Sequence, residues 1–210
     1  MSRSLALEMY RRGIRDERVL WAVGQVERRL FVPPSLAAYA DDDGPLPIGH
    51  GQTVSQPYVV ALMTEELALR GREKVLEVGT GSGYQTALLA LLAERVFSVE
   101  VVPDLAARAA QVLLGTLALG NVELRVGDGS LGWPERAPFD RIAVTAAAPE
   151  VPAPLVDELA PGGRMLIPIG EEESIQELVR LEKDGDGKVT ERALLPVRFV
   201  PLVSARPAVH

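Results

Sequence analysis

The sequence predicts an α/β domain, a mainly parallel sheet flanked by helices with a helical N-terminal extension. Three observations predict it. From Lys74 onward, short apolar runs alternate with segments of helical period. A glycine-rich corner, "VGTGSGYQT", joins the first run to the first such helix. Before Lys74 the apolar spacing is helical and broken by Gly and Pro. A chain of 210 residues suits one domain. It divides into an extension with a substrate loop (1–72), an α/β core (73–170) and a C-terminal hairpin and tail (171–210).

The elements follow in order. Residues 5–12 have helical spacing and stop at Gly13. Asp16 can cap a second helix, along which Val19, Leu20, Val23 and Val26 keep a helical period. "LFVPPSLAAYADDDGPLP" breaks regular structure, because its prolines remove donors and restrict their neighbours. The stretch "PLPIGHGQTVSQPYVVALM" also begins as neither helix nor strand, and a third helix is expected over 57–69 with Pro57 in its first turn. Then come strand "KVLEVG", helix "YQTALLALLAE", strand "RVFSVE", helix "PDLAARAAQVLLGTLAL", and strands "VELRVGD" and "FDRIAVTAA". "APLVDELAPGG" reads as a helix stopped by Gly162 and Gly163, and "RMLIPIG" as the next strand. The rest, "QELVRLEKDGDGKVTERALLPVRFVPL", reads as a hairpin with extra extended chain.

Composition sets limits. There are no cysteines, which removes disulfides, thiol nucleophiles and thiolate metal sites. "DGDG" at 184–187 lacks the spacing and closing Glu of a calcium loop, so it reads as a turn and no metal is expected. No apolar run approaches the roughly 20 residues that span a bilayer, and the N-terminus has no apolar signal core. A cytoplasmic monomer that binds neither membrane nor nucleic acid is the expectation, the net charge of −7 opposing a broad phosphate-binding surface. One asparagine and three lysines fit either a protein that must survive heat or a GC-rich genome.

The corner carries the first ligand motif. In such sheets ligands sit beyond the carboxyl ends of the strands. Gly79, Gly81 and Gly83, with Thr80 and Ser82 between them, allow tight turning and close backbone approach. Their spacing is G-x-G-x-G, whereas the dinucleotide fingerprint is G-x-G-x-x-G. Glu100, beside Val101, ends the second core strand, where a carboxylate can accept from two ribose hydroxyls. Asp128 and Gly129 follow the third, where an adenine would lie. Glu77, inside the first strand, could face a cationic ligand. A plain strand-to-helix corner would explain the glycines alone. With the acids added, the set fits an adenosine ligand that carries positive charge, and S-adenosylmethionine is the candidate.

The chain resembles the protein-L-isoaspartate O-methyltransferase family. The resemblance rests on "RRLFVPPSLAAYADDDGPLPIGHGQTVSQPYVVALM", "VLEVGTGSGYQTALLA", "GDGSLGWPERAPFDRIAVTAAAPEVPAPLVDELAPGGRMLIPIG" and "VRFVPL", in the family's order over residues 28–202. "PLPIGHGQTVSQP" is its most specific part, and the short tail "VSARPAVH" departs from the polar tail of animal members. The resemblance implies a Rossmann-like S-adenosylmethionine-dependent methyltransferase fold. It implies methyl transfer to the α-carboxylate of L-isoaspartyl residues in damaged proteins and peptides, with S-adenosylhomocysteine as product. It also implies that Thr53, Val54, Ser55 and Gln56 border donor and substrate, with Ser55 as the active-site residue. Gln52 is expected on the substrate side, although Gln52 and Thr53 could simply close the loop. Ser55 could instead cap the helix that follows. Thr145 is placed to line a substrate pocket that Ala146 and Ala147 keep open, although close helix–sheet packing would also explain the trio. His50, between two glycines, is expected to face solvent.

Three competing readings remain, each with a feature against it. A nucleic-acid amine methyltransferase needs an Asn/Asp-Pro-Pro-aromatic clamp after the fourth strand, where this chain has "VTAAAPE". A nicotinamide oxidoreductase needs the other glycine spacing and a proton relay. Against a binding module without catalysis stands the intact "GQTVSQP" loop.

Overall fold

The computed structural model describes residues 3–171 and 174–203. Glu172, Glu173 and most of the tail, including His210, lie outside the described residues.

Helix α1 (Arg3–Arg11) ends at Gly13, whose φ of 114° is open to glycine. Helix α2 (Glu17–Gln25) starts at Asp16, whose carboxylate accepts from the Arg18 N–H at 2.9 Å. Two 3₁₀ turns, Arg28–Phe31 and Pro34–Tyr39, fill the proline-broken stretch. Strands β1 (Leu46–Gly49) and β2 (Gln52–Val54) then form a small antiparallel hairpin. This corrects the expectation of irregular chain there. Gly49, His50 and Gly51 have φ of 92°, 54° and 71°, so the glycines that read as breakers reverse the chain, and Ile48 and Val54 turn inward. Helix α3 is Pro57–Glu66.

The core runs β3 (Lys74–Val78), α4 (Tyr84–Leu92), β4 (Arg95–Glu100), α5 (Pro103–Ala110), β5 (Val122–Val126), β6 (Phe139–Val144), α6 (Ala153–Glu158), β7 (Leu159–Ile169), β8 (Gln176–Lys183) and β9 (Val189–Val197). The sheet order is β5-β4-β3-β6-β7-β8-β9, parallel from β5 to β7 and antiparallel beyond. Two expectations need correction. Residues 159–163 belong to β7 and not to the preceding helix. Pro161 cannot donate a helical hydrogen bond, Gly162 turns left-handed at φ 76°, and Leu159 pairs with Phe139. The long helix after β4 also changes winding, continuing past α5 as a π-helical segment, Gln111–Thr116, that tucks Leu113 inside.

Alternation along the strands divides the interior. Val75, Val96 and Ala143 pack with Leu5, Met9, Val23 and Leu88 on one side. Leu76, Val78, Phe97, Ile142 and Val144 pack with Trp133, Phe139 and Leu155 on the other. The N-terminal helices therefore share a core with α4 and the sheet. Because the chain steps outward from β3 in both directions, β3 and β6 flank the switch point. The carboxyl ends of β3, β4 and β6 open into one crevice.

Candidate active site

The turn after β3 depends on its glycines. A Cβ on Gly79 (φ 95°) would lie 2.5 Å from the Thr145 hydroxyl, which closes in from the end of β6. Gly83 (φ 90°) opens α4, and a Cβ there would press on Leu113. The turn and the end of β4 are joined by Glu100, which is 5% exposed. Its Oε2 accepts from the Gly81 N–H at 2.6 Å and its Oε1 from the Val102 N–H at 2.9 Å.

Around this turn lies a cleft of about 750 Å³, counting space open to solvent. Its walls include Gly79, Thr80, Gly81, Ser82, Glu100, Val101 and Gly129 from the core. Gln52, Thr53, Val54 and Ser55 face it from the β2 side, with Thr145 and Ala146 beyond β6. Among the described residues lining it there is no Lys, Arg or His, and Glu100 is its one carboxylate.

Other candidates stand back from the cleft. Glu77 is fully buried behind the turn, its Oε2 accepting from Thr86 Oγ1 (2.5 Å) and Ser98 Oγ (2.6 Å). Its Oε1 has no partner, and burial pushes the carboxyl up to about 7. Asp128 accepts from the N–H and hydroxyl of Ser130, fixing the turn that brings Gly129 to the wall. Gly83 packs against the π-helical segment. Ala147 is buried, and its contribution is main-chain: its N–H donates to Val200 O (2.8 Å) and its carbonyl accepts from Leu202 N (2.7 Å). His50 is exposed, 3.5 Å from Asp104.

The cap of α3 is Gln56, with no side-chain capping bond, so Ser55 does not serve as the helix cap. Thr145 spends its hydroxyl on Gly79 O (2.6 Å), fastening β6 to the turn.

Two parts of the site escaped sequence reasoning. Arg28 is fully buried and donates to the carbonyls of Ala40 (2.7 Å), Gly44 (2.9 Å) and Ser55 (3.0 Å). Asp43 holds the same loop from the other side, accepting from Gln56 Nε2 (2.7 Å) and Tyr58 N (2.9 Å). The Ser55 peptide is thus gripped at its carbonyl and just after it. The second part is the chain after β9, where Val200, Pro201, Leu202 and Val203 line the cleft. The motif "VRFVPL" was the available signal for it.

Beside the cleft runs an open groove of about 1280 Å³. It shares Thr53, Ser55, Thr145 and Val200 with the cleft and adds Gln56 and the apolar surfaces of Tyr58, Val59, Ile175, Leu195 and Phe199. Ser55 therefore stands where the cleft at the glycine turn meets the open groove.

Comparison with known proteins agrees with this architecture. The family model for protein-L-isoaspartate(D-aspartate) O-methyltransferase matches residues 2–207. The protein-L-isoaspartate O-methyltransferase of Anaeromyxobacter dehalogenans (strain 2CP-C) is 65% identical over 209 residues, covering 100% of both chains. That of Myxococcus xanthus (strain DK1622) is 57% identical over 194 residues, covering 91% of each. A Plasmodium falciparum structure, described as a putative member in complex with S-adenosyl-L-homocysteine, superposes with TM-score 0.82 at 30% identity, covering 96% of this chain and 97% of that one. Another structure of a protein-L-isoaspartate O-methyltransferase gives TM-score 0.85 at 29% identity over 96% of this chain, which spans 65% of that longer chain. On the family model and these full-length relatives, the chain belongs to the protein-L-isoaspartate(D-aspartate) O-methyltransferase family.

Proposed function

We propose that the cleft and groove methylate the α-carboxylate of L-isoaspartyl residues in damaged proteins and peptides, with S-adenosylmethionine as donor. The observation that carries this reading is the joined pair of cavities with Ser55 at the junction and, among the described residues, no basic side chain lining the cleft. The donor set fits the cofactor. Glu100 presents a carboxylate to the cleft, where ribose hydroxyls could donate to it, and the G-x-G-x-G spacing of the turn departs from the dinucleotide fingerprint. When bound, S-adenosylmethionine supplies an electrophilic methyl group on a positively charged sulfur.

The chain's own task is then placement. A carboxylate acceptor has a reference pKa of about 4 and arrives ionised at neutral pH, so no general base is needed. Glu100 binds the ribose, and the turn from Gly79 to Gly83 lets the backbone approach closely. Gly129, on the loop fixed by Asp128, forms the wall where the adenine would lie. Thr53, Val54, Ser55 and Gln56 border both ligands, and Gln52, Thr145 and Ala146 shape the acceptor side. Ser55 orients the acceptor with a neutral hydroxyl, which holds a carboxylate without the attraction of a full positive charge that would blunt its attack. Esterification gives the carbonyl methoxide to expel in place of oxide. The neighbouring amide nitrogen attacks that carbonyl, the C–O bond to the methoxy group breaks, and methanol leaves with the amide proton as a succinimide closes. Water then opens the ring and returns part of the product to normal aspartate.

The proposal extends to a cytoplasmic monomer acting on proteins and peptides and not on nucleic acid or membranes. The net charge of −7 and the lack of cysteine support it, and among the described residues no helix is long and apolar enough to cross a membrane. The test is incubation with radiolabelled donor and paired isoaspartyl and aspartyl peptides. A base-labile ester confined to the isoaspartyl member is expected. Stable label on RNA, DNA or lysine would overturn the assignment.

A further inference from the structure

The groove beside Ser55 is almost free of charge. Among the described residues that line it, Arg198 alone is ionic. Its position is fixed from both sides. On one side Val197 is buried at the end of β9 and paired with Gln176. On the other, the Phe199 N–H donates to Oε1 of the fully buried Gln176 (2.9 Å), and Val200 O accepts from Ala147 (2.8 Å). Arg198 itself is exposed and has neither a carboxylate partner nor a hydrogen bond among the described residues. Arg12, the cation beneath the Tyr58 ring, is already engaged by Glu8 and Asp43. The chain thus spends two backbone anchors to hold one unengaged guanidinium at the groove, on a molecule whose net charge is −7.

We infer that Arg198 is a specificity-determining residue that favours isoaspartyl sites with an acidic side chain close by in the substrate chain. The inference rests on the groove being the peptide site. A guanidinium reaches a carboxylate several bonds from its own Cα, and its planar fork suits that partner. An acidic neighbour meets it, a neutral neighbour forgoes the contact and a basic one is repelled. Placing the cation in the groove and a hydroxyl at the junction separates recognition of the flank from orientation of the acceptor.

The experiment uses acetylated, amidated isoaspartyl peptides, so that no terminal carboxylate competes, with Glu, Gln or Lys at one flanking position on either side. For the wild-type chain, kcat/KM is expected to fall in the order Glu, Gln, Lys on one side. Each step should be about two- to fivefold, the range of an exposed ion pair, and shrink in high salt. Arg198→Gln should level the series and Arg198→Glu should reverse it, both with unchanged thermal unfolding. A wild-type series that is already level would overturn the inference, as would a preference that survives in Arg198→Gln. A uniform loss on all peptides in Arg198→Gln would overturn it too, since that points to the acceptor and not the flank. The wild-type rate on the Gln peptide checks the reaction itself; its absence overturns both the groove reading and this inference.

Discussion

Glu77→Gln tests how the core tolerates an acid beneath the glycine turn. Glu77 sits in the central strand with no exposed surface, two hydroxyls on one oxygen and none on the other. Burial raises its carboxyl from the ordinary 4.5 to about 7. The hydroxyls of Ser98 and Thr86 oppose the rise, and the charge of Glu100 adds to it. Between those values the folded chain keeps a proton that the unfolded chain has released. Stability therefore falls as pH rises through the window, with the favourable contribution complete below 4.5 and gone above about 7. At roughly 1.4 kcal/mol per pH unit, the contribution is about 3 kcal/mol. Glutamine cannot ionise and keeps the shape, while the rest of the chain titrates alike in both proteins. The stability of Glu77→Gln relative to the parent should thus improve by about 2–3 kcal/mol between pH 5 and pH 8. Urea unfolding at four pH values reads it directly. Parallel stability curves for the two proteins would refute the reasoning, because they would mean that the buried carboxyl releases its proton as in water.

Three further outcomes follow from the site. Glu100→Ala should weaken S-adenosylhomocysteine binding by about 1.5–3 kcal/mol, the range for hydrogen bonds to a charged group, as read by calorimetry. Ser55→Ala should lower kcat by roughly tenfold or more and shift unfolding by less than about 0.5 kcal/mol, since Ser55 is not the cap of α3. A stability loss of about 1 kcal/mol with intact turnover would return it to a structural role. Prolonged heating should form isoaspartate in the exposed turn 184–187 before Asp128-Gly129, where Ser130 holds the carboxylate and Gly129 is buried. Peptide mapping that finds Asp128 damaged first would contradict that order.

Much of the fold was legible because it follows from local chemistry. β3, β4 and β6 are short apolar runs bounded by polar residues, and the Asp16 cap and the glycine corner announce themselves. What failed depended on partners far away in sequence. Residues 159–163 look like the end of a helix until Phe139 pairs with Leu159. The "GHG" that reads as irregular chain becomes a hairpin turn because Leu46 finds Val54 across it.

The site divides along the same line. Glycines, Glu100 and the segment 52–55 reach the cleft because their backbone requirements or strand-end positions are local properties. Arg28 and Arg29 are neighbours of one type, so no pattern separates them, yet one is fully buried and the other exposed. The difference arises when the carbonyls of Ala40, Gly44 and Ser55 converge on a single guanidinium. Asp43, the last of three consecutive aspartates in the proline-broken stretch, has a side chain 9% exposed because Arg12, Gln56 and Tyr58 surround it. A reaction that needs no base asks most of its protein in placing the acceptor. The residues that hold the Ser55 loop are therefore as much a part of the proposed site as Ser55 itself, and they are the ones a sequence pattern conceals.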